Sequence, residues 1–325
     1  MLIVNLEDIT GRVHSLHLPI LLNAEVYMLP SFSMKTMLNA IVEHQISELI
    51  LVPPILILMV RHSIVDEYDL GHVTRFSSGA APVSPEILQL LRKRFPGMGF
   101  KQGYGMTESC SCITAHPPEK YDYSYAHTVG TIVASTVIKI LDEEGKELGI
   151  NQPGEIVAMG PQIAMGYLNN EKANRETWMP DGCLRTGDQG MINEEGVLTI
   201  TDRIKEIIKV KGIGVAPAEL EDLLLGHPHV EDVAVLGIAD EYSGEKPKAY
   251  VVAKKNTPQP ERLGNELLEY VKAKKIAHKW IKEIEFTKEI PKSASGKILR
   301  RTLRDKSRAG ESGVVVRDQS VRTKL

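Results

Sequence analysis

The residues from Leu49 to Val60, LILVPPILILMV, form the most apolar run in the chain. A run of that kind has to be buried. It is too short to cross a bilayer as a helix, which takes about 20 residues. Pro53-Pro54 divides it, and proline fits the first turn of a helix but not the ladder of a central strand. The run therefore predicts a buried strand, Leu49 to Val52, followed at once by a helix start. Its neighbours continue the alternation. Met34, Met37, Leu38, Ile41 and Val42 lie at helical spacing in residues 33–47, with Ser33 as the cap. Val73 to Ser77 reads as a strand, turned by Gly79-Ala80-Ala81-Pro82. Ser84-Pro85-Glu86 then starts a helix running to about Phe95, with a capping hydroxyl, proline in the first turn and an acid at the dipole's positive end. Alternating strands and helices predict a mostly parallel sheet covered by helices, with ligands at the carboxyl ends of strands, where the glycine turns fall.

The second glycine segment is Gln102-Gly103-Tyr104-Gly105-Met106-Thr107-Glu108-Ser109. Gly103 and Gly105 let the backbone bend where a side chain would block a ligand. Tyr104 can stack on a planar base, Thr107 offers a hydroxyl to a phosphate oxygen, and Glu108 offers a hard oxygen ligand to magnesium. That set suits a nucleotide. It also suits a plain glycine turn before a helix capped by Thr107, and this stretch alone does not separate the two.

From Gly130 to Ile200 the pattern becomes short strands with tight turns, as at Asp142-Glu143-Glu144-Gly145 and Asn193-Glu194-Glu195-Gly196, which predicts a β-rich subdomain. A new unit begins at Asp202. Helices are expected over 217–225 and 261–275, and strands over 233–238, 249–252 and 281–286. The expected fold class is α/β: a partial mixed or parallel sheet with a β-rich subdomain, plus a small mobile α+β C-terminal domain. The boundaries are 1–201 for the large part, 202–308 for the small domain and 309–325 for a flexible tail.

Hydrophobic residues at 42% and charged residues at 25% are ordinary for a soluble globular chain of 325 residues. A net charge of −3 gives no basic footprint for nucleic acid and no attraction to anionic lipid. Cys110, Cys112 and Cys183 lack metal spacing and are too few for a disulfide framework, so a reducing compartment is expected. His227-Pro228-His229 reads as a helix-ending loop rather than a metal site. No signal-peptide order occurs at the start, and no membrane span is expected. Thr323-Lys324-Leu325 is a loose variant of the Ser-Lys-Leu address, which gives a peroxisomal expectation with a cytoplasmic alternative.

Further motifs follow in order: Gly154-Glu155-Ile156, Arg185-Thr186-Gly187-Asp188, Asp202-Arg203-Ile204-Lys205-Glu206, Lys209-Val210-Lys211-Gly212 and Pro291-Lys292-Ser293-Ala294-Ser295-Gly296-Lys297. With the 102–109 stretch, they resemble the adenylate-forming superfamily of acyl- and aryl-CoA ligases, luciferase and peptide-synthetase adenylation domains. The resemblance runs from about Gly11 to about Arg308. Pro217-Ala218-Glu219-Leu220-Glu221 is similar to the 4-coumarate-CoA ligase and luciferase branch.

The resemblance implies a two-step reaction. A carboxylate attacks the α-phosphate of ATP to give acyl-adenylate and pyrophosphate, and the thiol of coenzyme A then displaces AMP. It implies that Gly79, Ala80 and Ala81 flank the adenine and acyl pocket. Gly103, Tyr104, Gly105, Met106 and Thr107 would bind the nucleotide, with Tyr104 on the adenine and Thr107 at the α-phosphate. Glu108 would hold Mg2+. Asp188 would take both ribose hydroxyls and Arg203 would add a second ribose contact. Lys297 would be the main catalytic residue of adenylation, although a lone lysine in such a loop is ordinarily only solvated. Lys209, Lys211 and Gly212 would serve the thioester-forming half, with Lys209 catalytic, and Asp202 and its neighbours would be the hinge.

Three departures accompany the resemblance. The upstream phosphate loop is absent together with most of the N-terminal half of the large domain, Asp8 stands in the position of a family histidine, and Gly214 stands where many relatives carry glutamine. The leading expectation is thus an acyl- or aryl-CoA ligase acting on a small carboxylic acid, truncated and weak or inactive alone. Two alternatives stand beside it. One is a non-catalytic acyl-adenylate- or AMP-binding remnant, partnered by a missing N-terminal half or a full-length relative. The other is an adenylation domain loading a carrier protein.

Overall fold

The computed structural model describes residues 9–79, 83, 85–255, 257–293, 297–308 and 313–318, and these form two compact units that join in sequence between Thr201 and Asp202. Among the predicted features, Asp8, Ala80, Ala81, Pro82, Ser84, Ala294, Ser295, Gly296 and the Thr323-Lys324-Leu325 end lie outside the described residues.

In the first unit the helix Met34–Glu43 starts where Ser33 Oγ accepts the Thr36 N–H at 3.1 Å, and it buries Met37, Leu38 and Ile41. The apolar run resolves as the sequence predicts, with β1 (Glu48–Ile50) followed by the helix Pro53–Arg61. Then come β2 (Arg75–Ser78), the helix Pro85–Arg94 and β3 (Gly99–Met106). β1, β2 and β3 pair in parallel, with Leu49 opposite Phe76 and Phe76 opposite Phe100. All three side chains are fully buried in one core with the helices' apolar faces.

Beyond β3 the chain departs from the expected strand, turn and helix. Gly103 and Gly105 lie within β3 itself. Only a single 3-10 turn, Thr107–Ser109, separates it from β4 (Ser111–Ala115). β4 returns antiparallel on β3, and β5 (Thr131–Ile132) pairs antiparallel with β4, so the sheet is mixed, in the order β1-β2-β3-β4-β5. A second sheet is all β, with β6 (Val137–Leu141), β7 (Gly154–Met159), β8 (Leu184–Ile192) and β9 (Leu198–Arg203) in sequence order. The turn at 193–196 joins β8 to β9, with Asn193 Oδ1 accepting the Glu195 and Val197 amides.

The second unit holds β10 (Ile208–Val210), β11 (Ile213–Val215), β12 (Val230–Asp240), β13 (Gly244–Ala253) and β14 (Glu283–Phe286). Alternate residues of β12 serve opposite faces. Val233 and Val235 pack with Leu220 and Leu224 of the helix Pro217–Leu225 and with Leu263, Leu267 and Val271 of the helix Pro260–Lys274. Ala234 and Leu236 pack with Tyr250, Ile290 and Leu303 of the helix Arg300–Arg308. No helix among the described residues is long and apolar enough to cross a membrane.

The expected flexible tail from 309 needs a correction over its described part. β15 (Val315–Arg317) pairs antiparallel with β14 and ends the sheet, in the order β11-β10-β13-β14-β15 with β12 on β13. Three consecutive valines, Val314 to Val316, favour extended backbone. Val316 is buried, and the Asp318 carboxylate takes Lys272 Nζ at 2.8 Å and Lys282 Nζ at 3.0 Å. A side chain on Gly264 would put its Cβ 2.6 Å from Val316 Cγ2. Gly264→Val should therefore lift β15 or strain the helix, costing about 1–3 kcal/mol. Urea unfolding measures the loss, and Val316→Ala should recover part of it. An unchanged midpoint would show that the strand does not depend on this contact.

Candidate functional site

The first cluster forms where β3 must double back. Met106 N–H donates to Ser109 Oγ at 3.0 Å, Cys110 sits at φ 47°, and Ser111 at φ 93° completes the reversal. A Cβ on Gly105 would lie 1.6 Å from the Ser111 carbonyl oxygen, so no other residue fits there. The pairing slips between Tyr104 and Gly105, and the slip separates the Tyr104 position from the reversal that carries Thr107 and Glu108.

Tyr104 and Asp188, far apart in sequence, are brought together. The Tyr104 hydroxyl donates to Asp188 Oδ2 at 2.8 Å. Asp188 is buried on β8 and its N–H donates to Thr186 Oγ1 at 3.1 Å, while Thr186 donates to the Ile156 carbonyl at 2.7 Å. Gly79 follows directly on β2, and a Cβ there would be 3.8 Å from the Gly103 carbonyl oxygen. Gly79, Gly103, Tyr104, Gly105, Met106, Thr107, Glu108 and Asp188 thus belong to one unit, Gly79 directly after β2, the 103–108 residues along β3 and its reversal, and Asp188 within β8 where Tyr104 reaches it. Thr107 is exposed and Glu108 half-buried.

Tyr167 is a site residue that sequence reasoning misses. Its hydroxyl donates to Glu108 Oε1 at 2.5 Å, and the Ala164 N–H donates to the Glu108 carbonyl at 2.8 Å. The ring stands edge-on to Trp178, with centroids 5.0 Å apart. Burial and the Glu108 bond raise the phenol above its usual range, so Tyr167 stays a donor. A lone Gly-Tyr in a loop carries no periodicity, and only the fold places it beside Glu108.

Behind β3 the buried His116 accepts the Gln102 N–H at Nδ1, 2.9 Å away, and its Nε2 lies 2.8 Å from Thr128 Oγ1. Thr128 Oγ1 donates to the Tyr125 carbonyl at 2.8 Å, so Nε2 carries the proton and donates to Thr128. Burial, helped by His127, pushes this imidazole down to about 4.

The second cluster belongs to the second unit. β10 and β11 form a hairpin whose two loop residues, Lys211 and Gly212, have φ of 53° and 78°, the signature of a type I′ turn. Lys209 is exposed, its N–H donates to Glu245 Oε2 at 2.8 Å, and it pairs with Gly214. Lys211 Nζ lies 4.2 Å from the centre of the Tyr242 ring. Arg203 is exposed, and its N–H donates to Asp202 Oδ1 at 2.6 Å. Lys297 closes the 293–297 loop. Its carbonyl accepts the Ser293 N–H at 2.9 Å, and its N–H donates to Ser293 Oγ at 3.2 Å.

Asp202 is buried. Its Oδ2 accepts the Ala218 N–H at 3.4 Å in the first turn of the helix Pro217–Leu225, whose own N-cap, Ala216, offers no oxygen. Burial raises its carboxyl above the usual range. His227 ends this helix in a loop, buried and 3.2 Å from Glu266 Oε1.

A family profile described as AMP-binding enzyme matches residues 1–168, and one described as AMP-binding enzyme C-terminal domain matches residues 219–297. Over 286 residues the chain is 41% identical to 4-coumarate-CoA ligase 2 of Narcissus pseudonarcissus, covering 87% of this chain and 50% of that protein. With 4-coumarate-CoA ligase 1 of Arabidopsis thaliana the identity is 40% over 287 residues, again 87% and 50%. The chain spans about half the length of the curated relatives it matches. The o-succinylbenzoate-CoA synthetase of Bacillus subtilis, solved with its acyl-adenylate intermediate, superposes with a TM-score of 0.80 at 29% identity, covering 94% of this chain and 60% of that one.

A histidine with a depressed pKa stays neutral in the fold and takes up a proton only on unfolding. Stability from His116 is therefore complete above about pH 6.5 and is lost as the pH falls toward 4. The first unit should lose about 2 kcal/mol over that window, measured by urea unfolding at pH 7.5 and 4.5. His116→Gln should flatten the slope, and an equal slope in the variant would remove His116 as its source.

Proposed function

Because the chain belongs to the AMP-binding enzyme family, we propose that the whole protein is an acyl-CoA ligase for a small planar aromatic acid of the 4-coumarate kind. The single observation that carries this reading is the Tyr104–Asp188 bond beside Thr107 and Glu108. It sets an aromatic face against a buried carboxylate of β8, with a hydroxyl and a half-buried carboxylate in the reversal that follows β3. That matches the order of base, ribose, α-phosphate and metal in a nucleotide.

In this reading the substrate carboxylate attacks the α-phosphorus of ATP and pyrophosphate leaves. The thiol of coenzyme A then attacks the acyl carbonyl, loses its proton, and AMP departs. The first half needs a crowded, anionic phosphorus held in place and neutralised, which is a task of position and electrostatics. Asp188, whose Oδ2 accepts from Tyr104, is the two-oxygen acceptor for the ribose hydroxyls. Lys297 supplies an ammonium group to the charge developing at phosphorus. Lys209, Lys211 and Gly212 stand at the exposed end of the β10–β11 hairpin and serve the thioester-forming half, and Arg203 makes a second ribose contact.

Among the described residues no three His, Cys, Asp or Glu side chains gather to hold a metal. Magnesium is commonly held by one or two carboxylates, with phosphate oxygens and water completing its shell. Glu108, steadied by Tyr167, fits that mode, and the ion would supply charge neutralisation at the phosphates.

The reading is tested by titrating the chain with a non-hydrolysable 4-coumaroyl-adenylate analogue by calorimetry. Tyr104→Ala and Asp188→Ala should each weaken binding at least about tenfold, a loss of about 1.4 kcal/mol. Lys297→Ala should leave this binding within about twofold. Equal affinity in the Tyr104 and Asp188 variants, each shown folded, would overturn the assignment of the site.

A further inference from the structure

We propose that Arg300 is a positioning residue for Lys297, fixing the end of the 293–297 loop through simultaneous bonds to Glu221, Glu206 and the Val235 carbonyl. This deepens the function proposed above and rests on it for the role of Lys297.

The loop is held by two stems. On the first, Lys292 Nζ donates to Asp232 Oδ2 at 2.6 Å, and Lys292 bridges antiparallel to Ile298. On the second, Leu299 N–H donates to the Pro291 carbonyl at 2.8 Å, and Arg300 opens the helix Arg300–Arg308. Arg300 Nη2 bonds both oxygens of Glu221, at 2.7 and 2.8 Å, while Nη1 bonds Glu206 Oε2 at 2.6 Å. Nε reaches the Val235 carbonyl at 3.3 Å. Glu221 is fixed in turn, since Oε1 accepts the Val235 N–H at 2.7 Å. Both stems therefore end on β12, at Asp232 and Val235. Through Glu206 the same guanidinium also holds the 3-10 turn Ile204–Glu206, which follows Arg203 directly.

The side chains of Arg300 and Glu221 are 11% and 9% exposed. A buried ion pair seldom stabilises more than the apolar residues that could replace it, so its contribution is better sought in geometry. All three guanidinium nitrogens are used, which the single ammonium of lysine cannot reproduce. Lys297 lies three residues before this anchor, with only Ile298 and Leu299 between.

The test uses the full chain with Arg300→Lys, Lys297→Ala and the double variant. Hydrogen exchange read by mass spectrometry should show the amides of 297–299 at least tenfold faster in Arg300→Lys. Those of β12 and β13 should stay within twofold of the unsubstituted chain. Uniformly faster exchange across β12 and β13 would mark Arg300 as a general anchor of the fold and overturn the proposal, as would unchanged exchange at 297–299. In the whole protein, adenylate formation, followed by pyrophosphate exchange, should fall at least tenfold in kcat with KM for ATP unchanged. In the Lys297→Ala background Arg300→Lys should cost nothing more, and additive losses would overturn the positioning role. Adenylate formation that survives Lys297→Ala would count against the function proposed for Lys297, while the exchange result still decides the role of Arg300.

Discussion

A close approach of two backbones governs the first unit. β3 and β4 can lie antiparallel with only the 3-10 turn Thr107–Ser109 and Cys110 between them because Gly105 has no Cβ to meet the Ser111 carbonyl. With any side chain there, β4 would have to move away. The turn that carries Thr107 and Glu108 would then open. The glycines in this segment thus act differently from the turn glycines that the sequence suggests. They sit inside a strand and allow contact between chains.

A second interaction converts that local geometry into a site. The Tyr104 side chain on β3 bonds Asp188 on β8, a side-chain tie between the mixed sheet and the antiparallel one beside the backbone bonds of Val129 and Gly130 to Leu198. A bond to a charged acceptor contributes about 1.5–3 kcal/mol, and removing the donor leaves a buried carboxylate short of a partner. The orientation of the aromatic ring and the position of the carboxylate are therefore one variable. A shift of either residue would strain or break that bond.

Much of this architecture was legible in the chain. Pro53-Pro54 marks the change from strand to helix, Ser33 marks a cap, and helices near 33–47, 84–95, 217–225 and 261–275 are each readable from local rules, whereas the helix Arg300–Arg308 is not among those expected. The rest depended on distance. Nothing local distinguishes Thr107 as a helix cap from Thr107 in a hairpin reversal, because the deciding contact is Gly105 against Ser111. Tyr167 and Arg300 find Glu108 and Glu221 only through the fold. β15 was missed because a run of three valines in a polar tail becomes a strand only beside β14, with Gly264 leaving room for Val316 and two lysines holding Asp318.

The two units hold their functional groups by opposite means. In the first, the supports are mostly neutral: an imidazole kept uncharged, amide and hydroxyl bonds, and a missing Cβ. In the second, charge is buried on purpose around one cation. Asp202, Glu206 and Glu221 all bear on Arg300, and burial pushes the Glu221 carboxyl up to about 7 against the pull of that guanidinium. Three carboxylates around one guanidinium are not balanced by it, so desolvation and mutual repulsion compete with attraction at each of them. Such a cluster is a costly way to gain stability and an effective way to fix direction, because the guanidinium's bonds to Glu206 and Glu221 are short and aimed. It joins the turn after Arg203, the start of the helix Pro217–Leu225, β12 and the base of the Lys297 loop. The bonds around Arg300 thus gather the two stems of the 293–297 segment, β12 and the helix Pro217–Leu225 into one network.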